Sequence, residues 1–277
     1  KYPITDWDKY VDDLNHRLGL DNQLSRVIGS KARKDPKRIV FADAENIKIL
    51  KVAQLVMEEG VAYPILLGKE HKIRKLADEN GIDLEGMPIM NPADDHHEDA
   101  RKKFGDLFFE KRQRRGVNKY ESYKAMKDRN HFGCMLVDSG EADGMISGLS
   151  RNYPDTIRPA LQIIGTEPGV KKIAGMYIMF TKRGPLFLAD TTVNFNPTAE
   201  ELAEITLLVA KEVKLFNIKP RIAMLSYSNF GSSDSPEANL VCRASQIVKE
   251  KDPALVCDGE VQGILAFNKE ILRENYP

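Results

Sequence analysis

The sequence has no excess of either charge: 41 Lys and Arg stand against 41 Asp and Glu in 277 residues. That balance argues against a nucleic-acid-binding or membrane-surface protein, which would carry a basic footprint. No apolar run is long enough to cross a bilayer. The first residues, from Lys1, lack the pattern of a secretory signal. Cysteine is scarce: Cys134, Cys242 and Cys257 form neither a paired nor a metal-type spacing. An odd count of unpaired thiols fits a reducing cytoplasm. The segment Asp94–Asp99 holds the adjacent His96 and His97, but without an HExxH spacing or a distant partner. It reads as a solvated turn and helix start, and no metal site is expected. Also missing are the GK[ST] of a Walker loop, the GxGxxG of a dinucleotide fold and a Ser/His/Asp nucleophile set. Catalytic residues are therefore not assignable from motifs of this kind.

What is present is alternation. A chain of this length predicts one large domain or two lobes with ample core. Residues 4–19 carry Trp7, Tyr10, Val11, Leu14 and Leu18 at three- and four-residue steps, an amphipathic helix needing a partner surface. A second helix is expected over 21–32. Arg38–Ala42 reads as a strand, Ile47–Gly60 as a helix, Tyr63–Leu67 as a strand, 69–80 as a helix and Met87–Met90 as a weaker strand. This is the βαβα order of a parallel sheet covered by helices. Tyr120–Asn130 predicts a helix, whereas the apolar segment Phe132–Asp138 fits a strand or a buried helix equally. Ile173–Thr181 and Pro185–Ala189 predict a hairpin turning through Lys182–Gly184, followed by a helix capped by Asn196 with Pro197 at its first position. Arg221–Tyr227 predicts another strand, and Pro236 opens a helix to Lys251.

Right-handed crossovers would gather the strand-to-helix loops on one edge, where open α/β sheets bind ligands. The stretch Met145–Thr166 is a short strand, the polar loop after Ser147-Gly148, and a helix capped by Asp155 or Thr156, with Pro159 near its first turn. Arg151 and Arg158 flank that helix start. Two readings stand side by side: an anion site for phosphate or an acyl phosphate, and a well-capped helix with solvated arginines. Lys111–Arg115 closes another helix and reads as favourable C-terminal charge or as an anion-binding edge. The Ser/Gly-rich loop 226–235 lies between a strand and a helix, where backbone N–H groups and hydroxyls can cradle phosphate. Asp190 and Asn194 mark a further strand end.

Taken together, ADGMISG with DTIRPALQIIGT, LADTTVNFNPTAEELAEI, RIAMLSYSNFGSSDSP and DGEVQ resemble the phosphate acetyltransferase family from about Lys37 to the end. Within that group the chain is most similar to the C-terminal phosphotransacetylase-like region of hybrid NADP-dependent malic enzymes. The Trp-bearing helix over 4–19, ADTTVN, and SNFGS in place of the usual SxKGS carry that distinction.

The resemblance implies an α/β fold: a three-layer α/β/α architecture with a parallel-rich sheet and two lobes about a cleft, as in isocitrate and isopropylmalate dehydrogenases. The expected organisation is a linker helix over 1–20, a first lobe over 21–157, and a second lobe over 158–277 that lacks the family's return segment. By the same resemblance, Arg112 and Arg158 match substrate-binding arginines, and Ser147 and Thr156 line the acetyl-phosphate site. Ser226, Ser228, Gly231 and Ser232 fall in a coenzyme A contact region. Three departures accompany it. Arg151–Pro154 replaces a His-Thr-Thr-Ala segment, a cysteine of some members has no counterpart near Lys182, and the late Ser-Arg pair with its catalytic Asp would lie beyond Pro277. The resemblance therefore implies a non-catalytic, acetyl-CoA-sensing domain in a cytoplasmic homo-oligomer. Acetyl-CoA or acetyl phosphate is the expected ligand, and the fragment itself needs no cofactor. An upstream malic enzyme domain would supply NADP and a divalent metal. The alternative is a working phosphate acetyltransferase, and a third reading is a purely structural oligomerisation module.

Overall fold

The computed structural model describes residues 20–181 and 184–276 together with Asp6, Trp7 and Tyr10. Most of the helix expected over 4–19, and the Lys182-Arg183 turn, lie outside the described residues. Two compact units form, one of Val27–Glu167 and one of Lys1–Arg26 with Pro168–Pro277.

In the unit Val27–Glu167, the elements are α1 (Leu20–Lys34, which crosses into it), β1 (Lys37–Phe41), α2 (Ile47–Glu58), β2 (Ala62–Leu67), α3 (Glu70–Asn80), β3 (Ile89–Met90), α4 (Glu98–Arg112), α5 (Lys119–Ala125), α6 (Arg129–Asp138), β4 (Gly144–Ile146) and α7 (Tyr153–Ile163). The four strands form a parallel sheet in the order β3-β2-β1-β4. The parallel pairing expected between residues 37 and 90 is thus present. Successive side chains of a strand point to opposite faces. Phe41 and Leu66 therefore join Leu50, Ala53, Ile73 and Ala77 of α2 and α3 in one core. Val40 and Leu67 join Phe104, Phe108, Phe132 and Met135 of α4 and α6 in another. Helices cover both faces, so the buried strands read as continuous apolar runs.

The ambiguous segment before β4 is helical. Asp128 decides this, because its carboxylate accepts from the backbone N–H of Asn130 and His131 and caps α6. The helix expected over 120–130 stops at Ala125, with Met126 as its C-cap. The anchor helix α7 begins earlier than predicted: Asn152, not Asp155 or Thr156, is its cap and accepts from Asp155 N at 3.0 Å. Pro159 consequently lies inside the helix. A proline there cannot bond the carbonyl four residues back. That carbonyl, Asp155 O, instead faces the Asn130 side-chain amide at 3.5 Å.

The second unit contains the antiparallel hairpin of β5 (Met176–Thr181) and β6 (Gly184–Ala189). It continues with α8 (Ala199–Leu215), β7 (Arg221–Leu225), α9 (Pro236–Lys251), β8 (Val256–Val261), α10 (Gly263–Phe267) and α11 (Lys269–Asn275). β7 and β8 pair in parallel. A cavity of about 450 Å³ runs between β6, α8 and β7, lined by Leu188, Ile205, Val209, Ile222 and Met224 among others.

Thr198 caps α8 in place of the predicted Asn196, and a reciprocal bond from its own N–H to Glu201 completes a capping box. Asn196 instead takes a left-handed φ of 46°. Thr198→Ala is expected to destabilise this unit by about 1 kcal/mol, with Thr198→Ser close to neutral, measured by urea unfolding. No helix among the described residues is long and apolar enough to cross a membrane.

Candidate functional site

In the first unit the strand order reverses direction at β1: β2 and β3 lie on one side and β4 on the other. Open α/β sheets bind ligands outside the carboxyl ends of the strands at such a point. The two loops that leave those ends are 42–46 and 147–152, and they are joined through one side chain. Asp43, only 4% exposed, accepts from Gly148 N and Leu149 N at 3.0 Å each and from the Ser150 hydroxyl. Burial pushes its carboxyl up, but these three donors together with the Arg129 charge outweigh burial and hold it below the ordinary value.

A second polar group supports the same loop from below. Ser147 Oγ donates to Asn130 Oδ1 at 2.8 Å, and Asn130 is buried in the first turn of α6. Asp128 pairs with Arg151 at 2.5 Å and with His131 Nδ1 at 3.0 Å. Burial again raises its carboxyl, and the hydrogen bonds from His131 and Arg151 overcome this and bring it far below the usual range. Thr156 Oγ1 donates back to Asn152 O at 3.0 Å. Arg158 is exposed, with a single long contact of 3.5 Å to Asp155.

Ser147, Thr156 and Arg158 therefore share the loop and first turns of α7. Arg112 ends α4, and its neighbour Lys111 reaches Ile163 O in the last turn of α7 at 3.3 Å. Its buried Nε has no hydrogen-bond partner among the described residues. Arg158 thus has only one long contact and Arg112 Nε lacks a partner among the described residues, while Arg151 is engaged by Asp128. Sequence reasoning missed Asp43, Asn130 and Asp128. Asp43 follows a strand directly, which is the signal that could have found it.

The second unit carries the loop 226–235, between β7 and α9. Ser235 caps α9 by accepting from Ala238 N. Glu260 of β8, 1% exposed, lies within this loop's hydrogen-bond network. Its Oε1 accepts from Gly231 N at 2.6 Å and from Ser228 Oγ at 3.4 Å, and its backbone carbonyl takes Phe230 N at 2.9 Å. Ser228 is buried. Ser232 Oγ accepts from Asn229 N at 3.0 Å, and Ser226 Oγ lies 3.2 Å from Ser228 Oγ. Of the four residues predicted here, Ser232 and Gly231 are exposed, Ser226 is half-buried and Ser228 faces inward.

The strand-end loop at Asp190 repeats the pattern. Its carboxylate accepts from the backbone N–H of Gly175, Thr192, Val193 and Asn194. Burial raises its carboxyl, but these donors with the Asn194 amide prevail and hold it low.

Comparison with known proteins sets this geometry in a family. The family model described as phosphate acetyl/butaryl transferase matches residues 23–277. The NADP-dependent malic enzyme of Escherichia coli (strain K12) is 34% identical over 276 residues, covering 99% of this chain and 36% of its own length. The phosphate acetyltransferase of Bacillus subtilis (strain 168) is 39% identical over 246 residues, covering 89% of this chain and 75% of its own. A phosphotransacetylase from Streptococcus pyogenes superposes with a TM-score of 0.84 at 35% identity, covering 92% of this chain and 77% of that one. The chain thus spans about a third of the malic enzyme and about three quarters of the acetyltransferase.

Proposed function

The chain belongs to the phosphate acetyl/butaryl transferase family, and on that premise we propose that it is the acetyl-CoA-sensing domain of an NADP-dependent malic enzyme. The observation that carries this reading is the extent of the alignments. The similarity to malic enzymes runs over 99% of the chain, whereas the similarity to the Bacillus subtilis acetyltransferase covers 89%. The extra matched residues favour a chain built like the malic enzymes. In this reading the units correspond to the two lobes of a three-layer architecture of the isocitrate dehydrogenase kind. Oxidative decarboxylation of malate, with NADP and a divalent metal, belongs to the malic enzyme portion.

Acetyl-CoA carries several phosphates and a neutral thioester end. Arg158, with one long contact to Asp155, and Arg112, whose Nε has no hydrogen-bond partner among the described residues, are the arginines this reading assigns to those phosphates, and a charge-assisted hydrogen bond to phosphate contributes about 1.5–3 kcal/mol. Ser147 and Thr156 are already held by Asn130 and Asn152, so they shape the loop and offer only their remaining lone pairs. The second reading is a working phosphate acetyltransferase, favoured by the higher identity to the Bacillus subtilis enzyme.

Arg158→Ala in the full-length enzyme is expected to weaken the response of malate turnover to acetyl-CoA by about tenfold or more in midpoint. Turnover without acetyl-CoA should be retained. By linkage, malate must shift acetyl-CoA affinity by the same factor as the reverse. An unchanged midpoint would exclude Arg158 from the sensing site. Coenzyme-A-dependent arsenolysis of acetyl phosphate by the chain should stay at background; robust turnover would favour the acetyltransferase reading.

A further inference from the structure

The start of α7 attracts an anion by its position, yet its neutral donors are largely spent. Ser147 Oγ is given to Asn130, while Gly148 N, Leu149 N and the Ser150 hydroxyl are given to Asp43. Asp155 N bonds the Asn152 side chain, and Thr156 N and Oγ1 both turn to Asn152 O. Pro154 has no N–H, and Asp155 puts a negative charge in the first turn. Binding of phosphate here therefore depends on side-chain charge. The loop and helix carry two arginines. Arg158 is exposed, with one long contact to Asp155. Arg151 is half-buried and pairs with Asp128 at 2.5 Å.

The two oxygens of Asp128 have separate partners. Oδ1 caps α6, accepting from Asn130 N, His131 N and His131 Nδ1. Oδ2 takes the Arg151 guanidinium. The ion pair can therefore part while α6 keeps its cap. As long as it stands, it offers an arriving anion no net charge, and a phosphate on Arg151 would lie against the Asp128 carboxylate. Water and salt screen that repulsion weakly, because both side chains are partly buried. We infer that Asp128 is an internal competitor for Arg151: phosphate at the start of α7 is held through Arg158 and not through Arg151, and the affinity of this loop for phosphate is kept low. The acetyl-CoA reading is the premise for the source of that phosphate. The competition itself needs only a phosphate group and the carboxylate.

The test titrates inorganic phosphate into the isotopically labelled 277-residue chain and follows the Nε–H signals of Arg151 and Arg158 by NMR. In the parent, phosphate should move the Arg158 signal and leave that of Arg151 in place. Asp128→Asn keeps an oxygen for the cap, at which Asn serves as well as Asp, and removes the charge. Phosphate should then move the Arg151 signal as well and bind about tenfold more tightly or better. Adding Arg151→Gln to Asp128→Asn should return the affinity to that of the parent. Three results overturn the assignment: phosphate moves Arg151 in the parent as strongly as Arg158, folded Asp128→Asn gains no affinity, or the gain survives Arg151→Gln. Should Asp128→Asn fail to fold, the parent decides: a moving Arg158 beside a still Arg151 supports the competition, and any other pattern overturns it. Acetyl-CoA is titrated in parallel. If it binds nowhere while phosphate behaves as stated, the sensing reading fails and the role of Asp128 stands.

Discussion

Asp43→Ala will destabilise the unit Val27–Glu167 by about 3–5 kcal/mol, the range for breaking a buried charged hydrogen-bond group. The substitution strands three donors at once: Gly148 N, Leu149 N and the Ser150 hydroxyl, all presently bound to one carboxylate. Asp43 itself is 4% exposed, so water cannot simply replace it. Asp43→Asn retains one acceptor but turns an amide toward N–H groups, and should cost roughly half as much. Urea unfolding of the three proteins measures this. The pH dependence has a definite sign. A carboxyl held below its unfolded value contributes stability in full above about pH 3.9, and that contribution fades as pH falls through the folded value. The parent should therefore lose stability below about pH 4 more steeply than Asp43→Ala. Equal slopes would mean that Asp43 is not a net anchor of the loop.

Gly259→Ala should be nearly as damaging, by about 2–5 kcal/mol, from the sum of an unfavourable φ and an overpacked contact. Gly259 holds a φ of 139°, and a Cβ there would lie 2.5 Å from the Met224 carbonyl oxygen and 2.8 Å from the Met224 Cβ. Met224 is a buried residue of β7 paired with Gly259 of β8, so its backbone cannot yield without parting the strands. The next residue is Glu260, so the loop 226–235 should be disturbed with the strands, visible as lost or displaced amide signals of Phe230 and Gly231. Gly263→Ala is the control. Nothing lies within 4 Å of its added Cβ, and alanine is the better helix former, so stability should hold or rise by up to about 1 kcal/mol. A tolerated Gly259→Ala would show that β7 and β8 can shift as a pair.

The legibility of this chain varies element by element. The helix over Ile47–Glu58 and the strand ending at Leu67 were readable because period and burial agree. Phe132–Asp138 was not, since a segment buried on nearly every side has no period; the deciding bond comes from Asp128, outside the apolar run. The start of α7 was misjudged because three polar residues compete as caps, and only backbone geometry selects Asn152. The candidate residues were legible as types. The resemblance implies Ser147 and Thr156 as lining the acetyl-phosphate site and Ser228 and Gly231 as coenzyme A contacts, and in the fold each of them donates a hydrogen bond to another residue of the chain.

By itself the sequence determined the α/β alternation, the parallel pairing of β1 to β3 and the places where polar loops leave strands. These follow from local periodicity and turn chemistry, which depend on near neighbours along the chain. It also carried the family likeness, in motifs that are themselves contiguous. Only the tertiary structure decided what fills those loops. Asp43 reaches residues more than a hundred positions away, and Glu260 reaches Gly231 from the adjoining strand. Both turn presumed anion cradles into loops that already hold a carboxylate. The physical reason is that a backbone N–H is satisfied by any acceptor within about 3 Å, and which acceptor arrives there is set by how strands are ordered in the sheet, a choice no local pattern encodes.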